Sequence, residues 1–506
     1  MPERGRSFRA IAGKKGQPPG RALHIIFTGD DFAAMRTAFD AHEARGLEGY
    51  AVALCGIRAD RRSAARRSAT CMVRSLHIPG KEDLIDHTSV SVTPSADFME
   101  VVLAGAAERQ STVLEVHTHP GSASPSFSAV DVDHGVENGR FLRSCRMGFG
   151  MMVIGREGFA VMEYNGESDR LQSPSAAALS IMTRAGAVEL KAPDLDLTAP
   201  AAGAQTPEKR AGDAGLSPAV DRQVRLWGEG CQRRIAGTTA GIVGLGGTGS
   251  VLLQALARMG VRKFVLCDPD AIEASNLSRL PYAFARDVGK LKARVAAGHV
   301  RKIAGDAAVE TVVGRIEDAG AAFRDCDVLF GCADNDGARL ALNALALKYF
   351  IPYIDTGTEI FLEGGRVRDM GGQVRVVVPG VTGCLECAGA IDHEAAAISR
   401  LPAEDAAVQE AAGYVRGTGL TPAPAVITLN VVVAALAAQE FVDMAARRER
   451  EAPENYYLYD ATGPVVRRLA FDRAPDCPMC GRGGILGAGD PPRSARRQIM
   501  PIKGTT

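Results

Sequence analysis

Gly241-Ile-Val-Gly244-Leu-Gly246-Gly247-Thr-Gly249 decides how the second half of this chain folds. An apolar run ends in glycines, and a helix-periodic segment, Ser250 to Met259, follows and is closed by Gly260. Strand, glycine turn and helix in this order let backbone amides and a helix N-terminus approach a phosphate. A second apolar run, Lys263-Phe-Val-Leu-Cys, ends at Asp268, 22 residues beyond Gly246, near the distance at which a carboxylate meets a ribose hydroxyl. The pattern predicts an α/β chain with a Rossmann-like nucleotide-binding domain. On these residues alone a dinucleotide dehydrogenase and an ATP enzyme fit equally well.

The residues downstream separate the two. Asp268-Pro-Asp270, Asn276-Leu-Ser-Arg279, Asp287-Val-Gly-Lys290-Leu-Lys292 and Cys332-Ala-Asp334-Asn335 follow in order, the last after Val328-Leu-Phe. With the glycine turn they resemble the ThiF/MoeB/E1 superfamily, which adenylates the C-terminal glycine of ubiquitin-like proteins, over roughly residues 218–480. The resemblance implies ATP and Mg²⁺ as cofactors. It implies that Gly244, Gly246, Gly247, Gly249, Asp270 and Asn276 line the nucleotide site, that Arg279 and Lys292 contact the phosphates, that Asp268 meets the ribose and that Asp334 holds the magnesium. Arg222, in Asp221-Arg222-Gln223, would reach the ATP of a partner subunit, which implies a homodimer through this domain. The chemistry is coherent in itself: a carboxylate approaching the α-phosphorus of ATP brings two anions together, so the site must supply positive charge.

Cys384-Leu-Glu-Cys387 and Cys477-Pro-Met-Cys480 are separated by 89 residues, and four thiolates so paired suit a closed tetrahedral structural zinc site. Residues 388–476 contain no cysteine to carry a thioester. An outside thiol, or a hydroxyl in Gly417 to Thr421 forming an oxyester, would then take the activated chain.

The first half carries a different signal. Thr112-Val-Leu-Glu-Val reads as a buried strand running into His117-Thr-His119-Pro120, whose imidazoles, two residues apart, point to one side. Asp131 follows in Ser128-Ala-Val-Asp131, and three protein ligands leave a fourth position for water, as in catalytic zinc. These residues resemble the JAB/MPN (JAMM) metalloprotease family over roughly residues 23–190, implying an α+β domain. By that resemblance His117, His119 and Asp131 are the zinc ligands and Ser128 stabilises the tetrahedral intermediate. Glu48 is the general base, with Glu43 the fallback. Eight residues separate His119 from Ser128, where the family usually has seven. Asp133 and His134 are expected on the first turn of the following helix.

At 506 residues the chain suits two large domains, and its 59 basic and 59 acidic residues leave no electrostatic footprint for nucleic acid or membrane. The apolar stretch Ala423 to Ala438 is broken by Pro, Thr and Asn, so no membrane span is expected, and the N-terminus does not read as a signal peptide. Eleven cysteines, four in Cys-x-x-Cys pairs, fit metal binding in a reducing cytoplasm better than a disulfide framework. The expected organisation is a tail (1–22), the metalloprotease-like domain (23–190), an Ala/Pro/Gly-rich linker (191–217), the adenylation domain (218–480) and a second tail (481–506). The combined expectation is a bifunctional enzyme of a bacterial ubiquitin-like system. A zinc-dependent (iso)peptidase would trim or remove a ubiquitin-like protein, an ATP-dependent half would adenylate its terminal glycine, and an E2-like conjugating enzyme is a further partner for such a system. The alternatives are activation of a sulfur-carrier protein and a scaffold that only docks the carrier.

Overall fold

The computed structural model describes residues 21–60, 68–122, 124–190, 217–399, 401, 405, 424–447 and 454–491. They form two compact units. The first takes the described residues up to Met182 together with 187–190 and 487–491, and the second takes 183–186 and 217–486. Residues 1–20 of the first tail, the linker from 191 to 216, Gly417 to Thr421 and residues 492–506 lie outside the described residues.

The first unit runs β1 (Ala22–Thr28), α1 (Gly29–Glu43), β2 (Tyr50–Ala59), β3 (Ser68–His77), the short pair β4 (Leu84–His87) and β5 (Val92–Pro94), α2 (Ala96–Glu108), β6 (Thr112–His117), α3 (Ala129–Ser144), β7 (Phe149–Gly155), β8 (Gly158–Asn165), β9 (Arg170–Gln172), β10 (Ala177–Thr183) and β11 (Gly186–Glu189). Nine strands form one mixed sheet in the order β11-β10-β1-β3-β2-β6-β7-β8-β9. The period-2 alternation of β2 divides the core: Ala51, Ala53 and Cys55 pack with Phe32, Met35 and Phe39 of α1, while Tyr50, Val52 and Leu54 pack with Val102 and Ala106 of α2 and Leu142 of α3. A sheet covered on both faces needs near-continuous apolar strands, which is how β2 and β7 read.

The second unit runs α4 (Asp221–Gly237), β12 (Thr239–Val243), α5 (Gly247–Met259), β13 (Lys263–Cys267), α6 (Lys292–Ile303), β14 (Ala308–Val312), α7 (Ile316–Ala319), β15 (Val328–Gly331), α8 (Asp336–Tyr349), β16 (Tyr353–Glu363), β17 (Arg366–Val377), α9 (His393–Ile398), α10 (Ile427–Ala446), β18 (Tyr456–Asp460) and β19 (Val465–Leu469). Its eight-stranded sheet is ordered β14-β13-β12-β15-β16-β17-β18-β19, parallel from β14 to β16 and antiparallel beyond. The strand order reverses around β12, so the glycine turn after β12 sits at the carboxyl ends of the strands, where open α/β sheets bind ligands.

Two expectations change. Residues 481–491 are not a tail: the Asp490 amide donates to the Ile57 carbonyl at 2.7 Å, the Ala59 amide donates to Asp490 Oδ2 at 3.1 Å, and Gly489 bridges Ile57 in parallel. The glycines that read as loose chain serve close approach instead, since a Cβ on Gly56 would strike the Gly487 carbonyl and Gly489 holds φ +64°. Second, Thr428 and Asn430 do not interrupt the apolar stretch: α10 runs unbroken for 20 residues and is long and apolar enough to span a membrane. Leu429, Val433, Ala434, Ala437 and Phe441 of this helix are buried, and the Phe441 ring meets Phe330 edge-on at 6.0 Å.

Candidate active sites

In the first unit the site begins with strand register. Strands β2 and β6 pair antiparallel with Tyr50 opposite His117, so continuing the register puts Glu48 opposite His119. Gly49 and Thr118 lock this crossing: the Gly49 amide donates to Thr118 Oγ1 at 2.8 Å and the Thr118 amide to the Gly49 carbonyl at 3.0 Å. Only glycine fits there, because a Cβ would lie 2.6 Å from the Phe39 ring. Glu48 itself is clamped, its amide donating to the Thr88 carbonyl at 3.0 Å and its carbonyl accepting from His87 Nε2 at 2.7 Å.

Asp131 arrives from α3. Its amide donates to Ser128 Oγ at 3.1 Å while its carboxylate accepts the Ser128 amide at 2.6 Å, a reciprocal cap that fixes both residues. His117 Nε2 stands 3.6 Å and His119 Nε2 3.4 Å from the Asp131 carboxylate, and His119 Nε2 stands 4.0 Å from Glu48 Oε1. A tetrahedral zinc with N and O ligands has donor–donor edges of about 3.4 Å, so the spacing fits. His117 supplies a second fit: its Nε2 is buried with no hydrogen-bond partner. Burial alone would raise the Asp131 carboxyl, but the adjoining imidazoles of His117 and His119 hold it well below its ordinary value, and the same closeness to Asp131 raises His119. Burial raises the Glu48 carboxyl, against the pull of the two histidines.

Glu43 is not brought to this cluster. It ends α1 and pairs with Arg156 at 2.9 Å, whereas Glu48 is the carboxylate found 4.0 Å from His119. Asp133 and His134 lie on α3 as expected. The sequence reading missed Glu115, a fully buried carboxyl that accepts from Asn138 Nδ2 at 3.2 Å and is pushed by burial up to about 7. A glutamate inside the apolar run Thr112 to Val116 was its signal.

In the second unit the glycine turn is shaped by its neighbours. Gly244 takes φ +86° and a Cβ there would sit 2.5 Å from the Cys332 carbonyl. Gly249 lies against the Gly244 carbonyl and Gly247 against the Asn430 amide, whereas Gly246 faces open space at the N-cap of α5. Asp268, buried at the end of β13, accepts the Leu245 amide at 2.7 Å and the Asp270 amide at 2.9 Å, tying the turn to the next strand. Burial raises its carboxyl, opposed by the Leu245 amide and the charge of Lys292. Lys292 pairs with Asp270 at 2.7 Å, and the Ser250 hydroxyl on the first turn of α5 reaches the Arg279 carbonyl at 3.4 Å. Asn276 Oδ1 accepts the Glu273 amide at 3.2 Å, fixing the loop that presents Arg279. Asp334 is exposed in the loop after β15, two residues past the Cys332 carbonyl that packs on Gly244. Arg222 is exposed on the first turn of α4, and among the described residues no contact joins it to this cradle.

A family description matches this geometry: residues 220–479 fit the ThiF family. The chain belongs to the ThiF family. The SAMP-activating enzyme E1 of Haloferax volcanii is 30% identical over 257 residues, half of this chain and 84% of that protein. The NEDD8-activating enzyme E1 catalytic subunit of Arabidopsis thaliana is 35% identical over 160 residues, and the ubiquitin-like modifier-activating enzyme 5 of Dictyostelium discoideum 30% over 160 residues. The chain spans only 33% and 40% of the length of these two. Among solved structures, E. coli MccB with ATP covers 53% of this chain and 75% of that one, at 22% identity and a TM-score of 0.41. The second unit is thus an E1-like adenylyltransferase domain, whereas the residues matched to the ThiF family all fall outside the first unit, whose reading rests on its own geometry.

Within the second unit the four cysteines converge. Sγ separations are 3.9 Å for Cys384–Cys387, 3.7 Å for Cys384–Cys477 and 3.4 Å for Cys387–Cys480. Four thiolates about one zinc have edges of about 3.8 Å, so the cluster fits a structural ion. Hydrogen bonding from Cys480 pulls the Cys384 thiol down to about 5, and the same contact pushes the Cys480 thiol up, so the two titrate as a pair.

Two features of the ThiF unit were not legible beforehand. Asn430, 3% exposed on α10, accepts the Thr248 hydroxyl at 3.2 Å, while its Nδ2 is buried without a partner beside Gly247. Asp355, fully buried near the start of β16, accepts from Tyr353 at 2.8 Å and lies 3.5 Å from Arg339 and 3.6 Å from Arg375. Both depend on pairings between elements far apart in sequence.

Proposed function

We propose that this protein is a bifunctional enzyme of a ubiquitin-like system, its ThiF unit adenylating the C-terminal glycine of a small carrier protein. Membership of the family carries this reading, and the names of its E1 relatives support a protein substrate. The glycine turn and the N-terminus of α5 would receive the phosphates of ATP, Asp268 the ribose, and Asp334 a magnesium ion that offsets phosphate charge. Lys292 and Arg279 add positive charge as the glycine carboxylate bonds to the α-phosphorus and pyrophosphate leaves. Arg222 would complete the site of a second copy, making a homodimer through this unit. The Cys384, Cys387, Cys477 and Cys480 cluster would hold a structural zinc.

For the first unit we propose a zinc (iso)peptidase acting on the same carrier, supported by the orphaned His117 Nε2 beside His119 and Asp131. A zinc ion held by these three side chains would polarise the scissile carbonyl and acidify a water. Glu48 takes a proton at Oε1 and returns it to the leaving amine, a role suited to a buried carboxylate whose affinity for protons is raised. Ser128, whose oxygen already accepts the Asp131 amide, keeps its own proton to donate to a developing oxyanion. Peptidase cleavage after glycine would generate the carboxylate that adenylation consumes. The setting is proposed to be cytoplasmic, with an E2-like conjugating enzyme downstream.

One observation favours a second reading, activation of a sulfur-carrier protein: residues 388–476 offer no cysteine for a thioester. Pyrophosphate exchange with candidate carrier proteins, comparing wild type with Asp334→Ala, tests the adenylating half. Exchange that requires both the terminal glycine and Asp334 supports it, and absence of exchange with every carrier refutes it. Cleavage of a carrier extended beyond its terminal glycine, comparing wild type with His117→Ala, tests the peptidase half, which fails if the variant cuts as fast.

A further inference from the structure

Helix α6 bears a second kind of chemistry. Leu291, Arg294, Val295, Gly298, His299 and Lys302 recur at three- and four-residue spacing along one face and, with the loop from Tyr282 to Lys290, line a cavity of about 650 Å³. Four cations meet there: Arg286, Lys290, Arg294 and Lys302. Lys290 is neutralised by Asp287 at 2.9 Å, but among the described residues no ion pair joins Arg286, Arg294 or Lys302 to a carboxylate. Exposed arginines such as Arg140 and Arg156 are matched, by Asp169 and Glu43, and the whole chain carries a formal charge of +0. Three unmatched cations in one cleft are therefore a local excess, which a negatively charged occupant would offset.

The apolar content of the cleft points to a polypeptide. Phe284 lines the cleft and is 50% exposed, and the Arg286 guanidinium lies over its ring at 4.8 Å. An exposed aromatic ringed by charge is the composition of a protein interface. Arg294 and Lys302 lie eight residues apart on the helix, about 12 Å, too far to be bridged by one phosphate but matched by about four residues of extended chain. We infer that this cleft docks an acidic polypeptide segment of a partner protein, whose carboxylates pair with Arg286, Arg294 and Lys302 while an apolar side chain packs on Phe284. The Tyr282 hydroxyl donates to the Leu245 carbonyl at 2.9 Å, so the docked segment lies against the wall of the glycine turn. The inference does not depend on the adenylation reading, because its readout is binding.

The test is fluorescence anisotropy of a labelled octaglutamate peptide ending in phenylalanine, titrated with the full chain. Wild type is expected to bind, with affinity falling as salt rises from about 50 to about 300 mM. Reversing the charges together, Arg286→Glu, Arg294→Glu and Lys302→Glu, is expected to weaken binding at least about tenfold, whereas Arg366→Glu with Arg368→Glu on the β16–β17 hairpin leaves it unchanged. Phe284→Ala alone weakens binding of the phenylalanine-ended peptide but not of plain octaglutamate. Equal binding by the triple variant and wild type overturns the inference. So does failure of the peptide to bind while inorganic tripolyphosphate binds with the same dependence on the three cations, since the cleft would then be a small-anion site. Melting temperatures within about 2 °C of wild type show that the exposed substitutions have left the fold intact.

Discussion

Glu48 Oε1 and His119 Nε2 stand 4.0 Å apart because their immediate neighbours, Gly49 and Thr118, are hydrogen-bonded to each other across the ends of two antiparallel strands. A carboxylate and an imidazole separated by 70 positions in the chain are thereby fixed by backbone register and not by a flexible loop. Glu48→Gln keeps shape and hydrogen bonding but removes the proton acceptor. It is expected to lower cleavage of a glycine-extended carrier by about 10²- to 10⁴-fold. Circular dichroism and bound metal should stay as in wild type, and retained cleavage would exclude Glu48 as the base.

Metal content separates the two clusters. Wild type purified with zinc is expected to hold about two ions per chain and His117→Ala about one, with the melting transition little changed. Cys384→Ser with Cys387→Ser should also lose one ion, but with a lower melting temperature, because that cluster ties the chain near residue 385 to the chain near residue 478. Elemental analysis alongside calorimetry decides the matter.

The glycines of the turn answer to different constraints. Gly244→Ala forces a Cβ into a φ of +86° and against the Cys332 carbonyl, so a loss of about 1–3 kcal/mol of stability is expected in denaturant titration. Gly246 has φ −70° and open space above it. Gly246→Ala should therefore leave stability near wild type while weakening ATP binding at least about tenfold by calorimetry, since the added methyl occupies the approach of the phosphates.

Asn430 offers a test in which stability and binding move apart. A carboxylate beside the start of α5 complements the positive end of the helix, so Asn430→Asp should leave the ligand-free protein as stable as wild type or slightly more so. The same charge faces the proposed phosphate position, and ATP affinity should fall at least about tenfold, more than for Asn430→Ala. Isothermal titration with ATP, read beside the melting curves, would show whether Asn430 Nδ2 faces the nucleotide.

What was legible in the sequence was local. Gly244 to Gly249 and Asp268 declare themselves because a strand, a tight turn and a helix are consecutive, and the structure joins them through the Leu245 amide. His117, His119 and Asp131 were recoverable because two lie on one strand end and the third follows a short loop. Asn430 was hidden, since its relation to Gly247 depends on how α10 packs against α5, and nothing in the apolar stretch around it specifies that pairing. Asp355 was hidden for the same reason, its partners Arg339 and Arg375 coming from separate elements. The glycines after Cys480 misled because composition records flexibility and close packing alike, and only Ile57 as a neighbour distinguishes them.

That late contact gives the molecule an order of assembly. β2 pairs with β6 only as far as Cys55, and the edge beyond it at Ile57 is taken by Gly489 and Asp490. The first unit is therefore discontinuous: nearly all of its sheet leaves the ribosome early, but its final strand partner emerges after the whole adenylation unit has been synthesised. A nascent chain would hold an unfinished edge beside β2 throughout that interval, and the arrival of residues 487–491 closes it. Completion of the first unit is in this way a report that translation has passed the second pair of cysteines.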